Sequence, residues 1–289
     1  RSFSTVLNLM EHYPEYIFMS SQPQLYQFVK EDYPGVYEKI RERIKEGRWE
    51  PEGAMWLEAD CNISSGEALA RQFLYGIRFF EEEFGVRCRH LWLPDAFGYS
   101  WALPQLMKQC GIKTFMTTKI SWNEVNRMPH NIFRWRGIDG TEVLTYFITT
   151  PTRGSYETAT YNGYMDPYSA VGAWECFRDK EITNRVLISY GYGDGGGGVN
   201  RDMLMLRRAM DMMPGLPNVK TEKAGEFFEY IHRDAKAAGD RVAVWDGELY
   251  LEFHRGTYTT QAKNKKNNRK AEFQLFRAEA ISSLASIIN

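Results

Sequence analysis

Apolar residues in this chain recur at two spacings in turn, one helical and one strand-like, and the alternation predicts a parallel sheet with crossover helices. Thr5–Glu11 reads as a helix, Tyr16–Ser21 as a strand, and a helical stretch follows to about Gly47. A strand is expected at Met55–Glu58, ahead of Ser64 and Glu67, which have the spacing of a capping box. Behind them Leu69, Phe73, Ile77, Phe80 and Phe84 return at helical intervals and give one buried face. His90–Leu93 is a short apolar strand bounded by Pro94, and the helix after it runs through Leu106 to a left-handed cap at Gly111. Further strands are expected at Thr114–Thr118, Val143–Thr149, Val186–Tyr190 and Val242–Trp245, with helices over Asp202–Met212 and Glu222–Ala237. Thr152–Pro167, rich in Gly, Thr, Tyr and Ser, reads as a long loop on the cleft side.

The two ends of the pattern look unfinished. A parallel sheet needs a strand before the helix Thr5–Glu11, and none is present. At the other end Phe273, Phe276, Ala280, Leu284 and Ile287 form an apolar stripe on a long helix, and a lone amphipathic helix needs partners for such a stripe. The expectation is a fragment of a longer protein. The basic run Lys263–Lys270 reads as the solvated face of that helix.

Composition narrows the function classes. With 289 residues, 43% hydrophobic and 25% charged, the chain can bury a substantial core in one large α/β domain or two smaller ones. A net charge of −1 gives no electrostatic reason to expect nucleic acid. No apolar run is long enough for a transmembrane helix, so no membrane partner is expected, and no signal peptide is visible. The four cysteines are scattered and form no CxxC pair, which fits a reducing compartment and a cytoplasmic location.

Candidate chemistry gathers where predicted strands end. Asp95 directly follows the Leu91–Leu93 strand and Pro94, at the kind of strand end where catalytic groups collect in barrels of alternating strands and helices. Phe97 and Tyr99 add aromatic faces suited to a sugar, although Asp95 could equally cap the next helix. Asp194 follows the predicted strand Val186–Tyr190 in a glycine-rich loop that lets the backbone approach a ligand closely. The alternative for Asp194 is a flexible turn with an incidental acid. Gly191–Gly196 also satisfies GxGxxG, but Asp194 would put a negative charge beside a pyrophosphate, which argues against a dinucleotide site. Trp56 and Asp60 end another predicted strand and are candidates to line the site, while Glu67 reads as part of a helix cap.

Three stretches, Leu93–Lys113, Thr117–Phe133 and Trp135–Phe147, together with Tyr190–Gly198 and Glu248–Arg269, resemble glycoside hydrolase family 38, the retaining α-mannosidases, especially the bacterial ones. The motifs are long, occur in the family's order and cover nearly the whole chain. The resemblance implies a seven-stranded α/β barrel, here lacking its first strand, over residues 1–250. The first helix of a three-helix bundle would then occupy residues 251–289. Asp95 matches the family's nucleophile and zinc ligand, His254 in FHRGTY a distant zinc ligand, and Asp194 the general acid/base. Without the family, His254 would read as a structural histidine. Phe97 matches an aromatic near the bound sugar, and Lys119 a basic residue by the cleft.

The family's His-x-Asp zinc pair has no counterpart in this chain. Only His232-Arg233-Asp234 has the spacing, and it lies in a predicted helix late in the sequence. Two ligands fall short of a four-coordinate zinc site. The expected function is therefore hydrolysis of terminal α-mannosides in a mannose-containing oligosaccharide, with zinc as the implied cofactor. A metal-dependent polysaccharide deacetylase-like hydrolase and an inactive sugar-binding fragment are the alternatives, and a homo-oligomer of the full-length protein stays open.

Overall fold

The computed structural model describes residues 1–288. Helix α1 (Ser2–His12) leads to strand β1 (Phe18–Ser20), then to α2 (Pro23–Asp32) and α3 (Pro34–Lys45). Both of these helices open on a proline, where the missing N–H costs nothing. Strand β2 (Trp49–Pro51) pairs parallel with β1, with Phe18 opposite Trp49. Helix α4 (Gly66–Phe84) ends at Gly85 in the left-handed region, φ 68°. Its cap is Ser65 rather than Ser64. Ser65 is extended and its hydroxyl accepts the Ala68 N–H, while Glu67 lies too early for a capping box and pairs with Arg71 at 2.8 Å.

The chain continues through β3 (His90–Trp92), β4 (Gly98–Tyr99), α5 (Leu103–Gln109), β5 (Thr114–Thr117), β6 (Ile132–Arg136) and β7 (Glu142–Phe147). Then come β8 (Pro151–Thr152), β9 (Ser155–Ala159), α6 (Pro167–Cys176), α7 (Arg201–Met210) and α8 (Ala224–Ala238). The last elements are β10 (Val244–Asp246), β11 (Leu249–Tyr250), α9 (Gly256–Thr259) and α10 (Ala262–Ile288).

Five strands make the main sheet, in the order β10-β6-β7-β5-β3. All neighbours are parallel except β6 and β7. Strands β3 and β5 are buried throughout, including the polar His90, Thr114 and Thr117 at their ends. Successive residues face opposite sides. Leu91, Phe115 and Phe147 pack in one core cluster with Phe73 and Phe80 of α4, while Trp92, Met116 and Tyr146 pack in another with Phe227 and Phe228 of α8. The fold is thus mixed α/β, with helices covering the sheet.

Four expectations differ from what the structure shows. Among the described residues no hydrogen-bonded ladder closes a seven-stranded barrel; β1–β2, β4–β11 and β8–β9 stand as separate pairs beside the main sheet. The apolar run Met55–Glu58 is not a strand, because its amides turn to α4: Trp56 N–H bonds the Gln72 carbonyl and Leu57 N–H the Gln72 side chain. Val186–Tyr190 is not a strand either. Leu187 N–H is taken by the Tyr146 hydroxyl, and only Tyr190 bridges to Gly163. The supposed loop Thr152–Pro167 contains the β8–β9 hairpin.

Helix α10 forms as the apolar stripe suggests, with Phe273, Phe276, Leu284 and Ile287 exposed. Arg71 of α4 grips Glu279 through two hydrogen bonds of 2.6 Å, and Glu272 accepts the Ser65 N–H. No described helix is long and apolar enough to cross a membrane. All four cysteines are free thiols.

Candidate active site

Asp95 is placed by the end of β3. The ladder continues one residue past the strand, with Leu93 N–H on the Met116 carbonyl, before Pro94 breaks it. The Pro94 carbonyl then accepts the N–H groups of Thr118 and Lys119, which clamps the end of β5 against the Asp95 loop. Below, the buried Tyr99 hydroxyl donates to the Leu93 carbonyl at 2.6 Å and lies 2.6 Å from the Thr117 hydroxyl. Asp95 caps no helix; α5 begins later, at Leu103, behind Ala102.

That clamp delivers Lys119 to Asp95. Its ammonium lies 2.8 Å from Asp95 Oδ1, an ionic contact outside hydrogen-bond geometry, since the same buried oxygen has no hydrogen-bond partner. Lys119 also sits 4.1 Å from the centroid of the Trp122 ring and 5.5 Å from that of Phe97. The His254 ring packs 4.7 Å from Phe97 and 6.1 Å from Trp122. His254 has φ 58°, a strained value for a non-glycine residue. The segment before it is anchored by Glu252, whose carboxylate accepts three backbone N–H groups from Glu124 to Asn126.

Asp194 also lies in the left-handed region, at φ 50°, on an exposed loop closed by the Tyr192–Gly198 bridge. A Cβ at Gly193 would come within 2.7 Å of the Asn162 side-chain amide nitrogen, which would have to shift. The Tyr161 hydroxyl donates to Asp194 Oδ1 at 3.3 Å. Burial pushes the Tyr161 hydroxyl pKa up, and the charges of Asp95, Asp194 and Glu58 push it further. Asp194 therefore bonds this phenol, and Asp95 and Glu58 act on it through their charge.

Glu58 was not a candidate from sequence, and neither were Tyr161 and Trp122. Glu58 follows the misread run Met55–Glu58, accepts the Ser21 hydroxyl at 3.0 Å and feels the charge of Asp95. Solvent reaches it from the cleft mouth, but protein walls surround it, and burial raises its carboxyl to about 7. The one sequence signal was an acid two residues from Trp56 and from Asp60. A cavity of about 710 Å³ opens beside it, lined by Ser21, Gln22, Glu58, Pro94 and Tyr161 among others. Neither Asp95 nor Asp194 is among its lining residues. A second cavity of about 750 Å³, by Lys113, Glu142 and His232 at the N-terminal ends of β5 and β7, contains none of the candidates.

The remaining predicted residues divide. Asp60 accepts the N–H groups of Asn62 and Ile63 and so shapes its own turn, which reaches the site through the chain Asn62 amide, Tyr258 hydroxyl, Phe97 carbonyl. Trp56 packs on Phe79 and bonds Gln24; nothing brings its ring to the carboxylates. His232 lies in α8 against Thr114, apart from the site, as its helical spacing implied. The zinc implied by the resemblance meets a poor fit. Asp95 Oδ1 is a buried oxygen open to a cation, but Lys119 already faces it. No group of three or more His, Cys, Asp or Glu able to hold a metal exists among the described residues. These residues do not by themselves fit a four-donor zinc.

Residues 1–248 match the glycosyl hydrolases family 38 N-terminal domain. Alpha-mannosidase G of Dictyostelium discoideum is 42% identical over 99% of this chain, which covers 25% of that protein. Alpha-mannosidase 2C1 of Homo sapiens is 44% identical over 99% of this chain, which covers 26% of it. The chain thus spans about a quarter of the length of these relatives. An alpha-mannosidase structure from Enterococcus faecalis V583 shares the fold, with a TM-score of 0.64 over 85% of this chain and 27% of its own, at 17% identity.

Proposed function

The chain belongs to glycosyl hydrolase family 38, and we propose that its cleft takes part in hydrolysing terminal α-mannosides with retention. Asp95 is the nucleophile in this reading. It attacks the anomeric carbon and forms a mannosyl ester as the glycosidic bond breaks. Asp194 gives its proton to the leaving oxygen, then takes one from the water that cleaves the ester. The observation that carries the reading is Tyr161, bonded to Asp194 and within reach of the charge of Asp95. This shared phenol supports reading the two acids as one site, in which a retaining pair needs a separation of roughly 5 to 5.5 Å. Phe97 and Trp122 offer ring faces to the sugar, and Lys119 offsets the charge of Asp95 before substrate arrives.

The names of the two relatives above, both alpha-mannosidases, support the substrate class. Zinc stays outside these steps, since Asp95 and His254 would supply only two of its donors. Free thiols are in keeping with a cytoplasmic location. Incubation with a fluorinated mannosyl fluoride, followed by peptide mass mapping, tests the mechanism. The expected result is a mannosyl adduct on Asp95, absent in Asp95→Asn. An adduct elsewhere would overturn the assignment, and mannoside binding without any adduct would favour a sugar-binding role.

A further inference from the structure

We propose that Glu58 is a specificity-determining residue of this cleft, gripping a hydroxyl of a neutral pyranose; the proposal rests on the mannoside reading above. Glu58 lies between two strand ends, with Ser21 just past β1 on one side and Asp95 just past β3 on the other. The Ser21 hydroxyl engages Oε1 at 3.0 Å, and Glu58 lines the 710 Å³ cavity beside Tyr161 and Pro94. Asp95 has Lys119 as its counter-charge, whereas Glu58 has no ion-pair partner among the described residues. Glu58 is exposed, and with the Ser21 hydroxyl on Oε1 its carboxylate keeps lone pairs open to further donors. A polyol supplies such donors without adding charge. The ligand class is a neutral hexose, as the mannoside reading requires.

The role differs from a structural one in what it does to related ligands. Loss of a packing residue weakens every sugar alike; loss of a hydroxyl-binding group weakens only sugars that carry that hydroxyl. The test measures binding of methyl α-mannoside and its four monodeoxy analogues by NMR titration, to the wild-type chain, Glu58→Ala and Glu58→Gln. The wild type should bind one deoxy analogue about tenfold or more weakly than the parent, as expected for a hydrogen bond to a charged group. Glu58→Ala should lose that discrimination while binding the analogue itself unchanged, and Glu58→Gln should keep part of it. Circular dichroism shows whether each variant is folded; if Glu58→Ala is not, Glu58→Gln decides by its reduced discrimination. An unaltered deoxy profile in the folded variants overturns the role of Glu58 and leaves the mannoside reading standing. A wild-type chain that binds no mannoside overturns both.

Discussion

The loop that carries Asp95 is tied to its neighbour strand by buried groups, while the loop that carries Asp194 is closed on itself by backbone bonds and leaves its carboxylate exposed, held by one long hydrogen bond. On the first side the Tyr99 hydroxyl, the Pro94 carbonyl and the Leu93 amide fix the backbone to β5. On the second, Tyr161 holds an exposed carboxylate at 3.3 Å. The contrast suits the proposed chemistry. A nucleophile must keep one line of attack, and small misplacements are expensive. An acid/base must serve a leaving oxygen and then a water, so a looser hold costs it less.

The strongest way to break this comparison is to remove the loosely held acid. Asp194→Ala should lower kcat for an aryl α-mannoside with a poor leaving group by about 10²- to 10⁴-fold. Much less should be lost with an activated leaving group, and azide should restore turnover by replacing the water step. Equal losses with both substrates would remove Asp194 from proton transfer.

A pH titration of stability sharpens the other side. Glu52, 6% exposed, accepts the N–H groups of Gly53, Arg89 and His90 and so supports the start of β3. Burial is the largest cause that raises its carboxyl to about 7. A carboxyl with its folded pKa raised holds its proton more tightly when folded. Its contribution is therefore full below the unfolded value and is lost as pH rises through about 7. Between pH 5 and 8 this amounts to on the order of 3 kcal/mol, and Glu52→Gln should flatten that slope in urea unfolding. An unchanged slope would mean that Glu52 is ionised in the folded chain.

A smaller effect is expected at the clamp itself. Tyr99→Phe leaves the Leu93 carbonyl and the Thr117 hydroxyl without a buried partner and should cost about 1–3 kcal/mol. A comparable loss from Tyr161→Phe, on the loose side, would erase the distinction between the loops.

The sequence made the tight side legible and the loose side legible only in part. His90–Leu93 is apolar, short and closed by Pro94, so the strand and the place of Asp95 follow from local rules. Asp194 could be found only through resemblance, because the strand supposed to present it does not form; Leu187 spends its amide on Tyr146. Glu58 escaped because Met55–Glu58 resembles a strand while α4 takes its backbone donors. No local pattern announces a partner such as Gln72. Strand β6 was missed as well: Ile132–Arg136 lies antiparallel to β7, and a search for strands separated by helices passes over a hairpin.

That hairpin also orders the cost of assembly. Arg136 meets Glu142 six residues along the chain, whereas Arg134 must find Val244 beyond the whole of α6, α7 and α8. Loop-closure entropy grows with the length closed, so β6 and β7 are the least expensive pair in the sheet to bring together. Strand β10 pairs with the outer edge of this piece, and β5 and then β3 extend it on the other side. The part of the sheet that carries Asp95 is therefore the far end of a structure whose cheapest step involves none of the site residues.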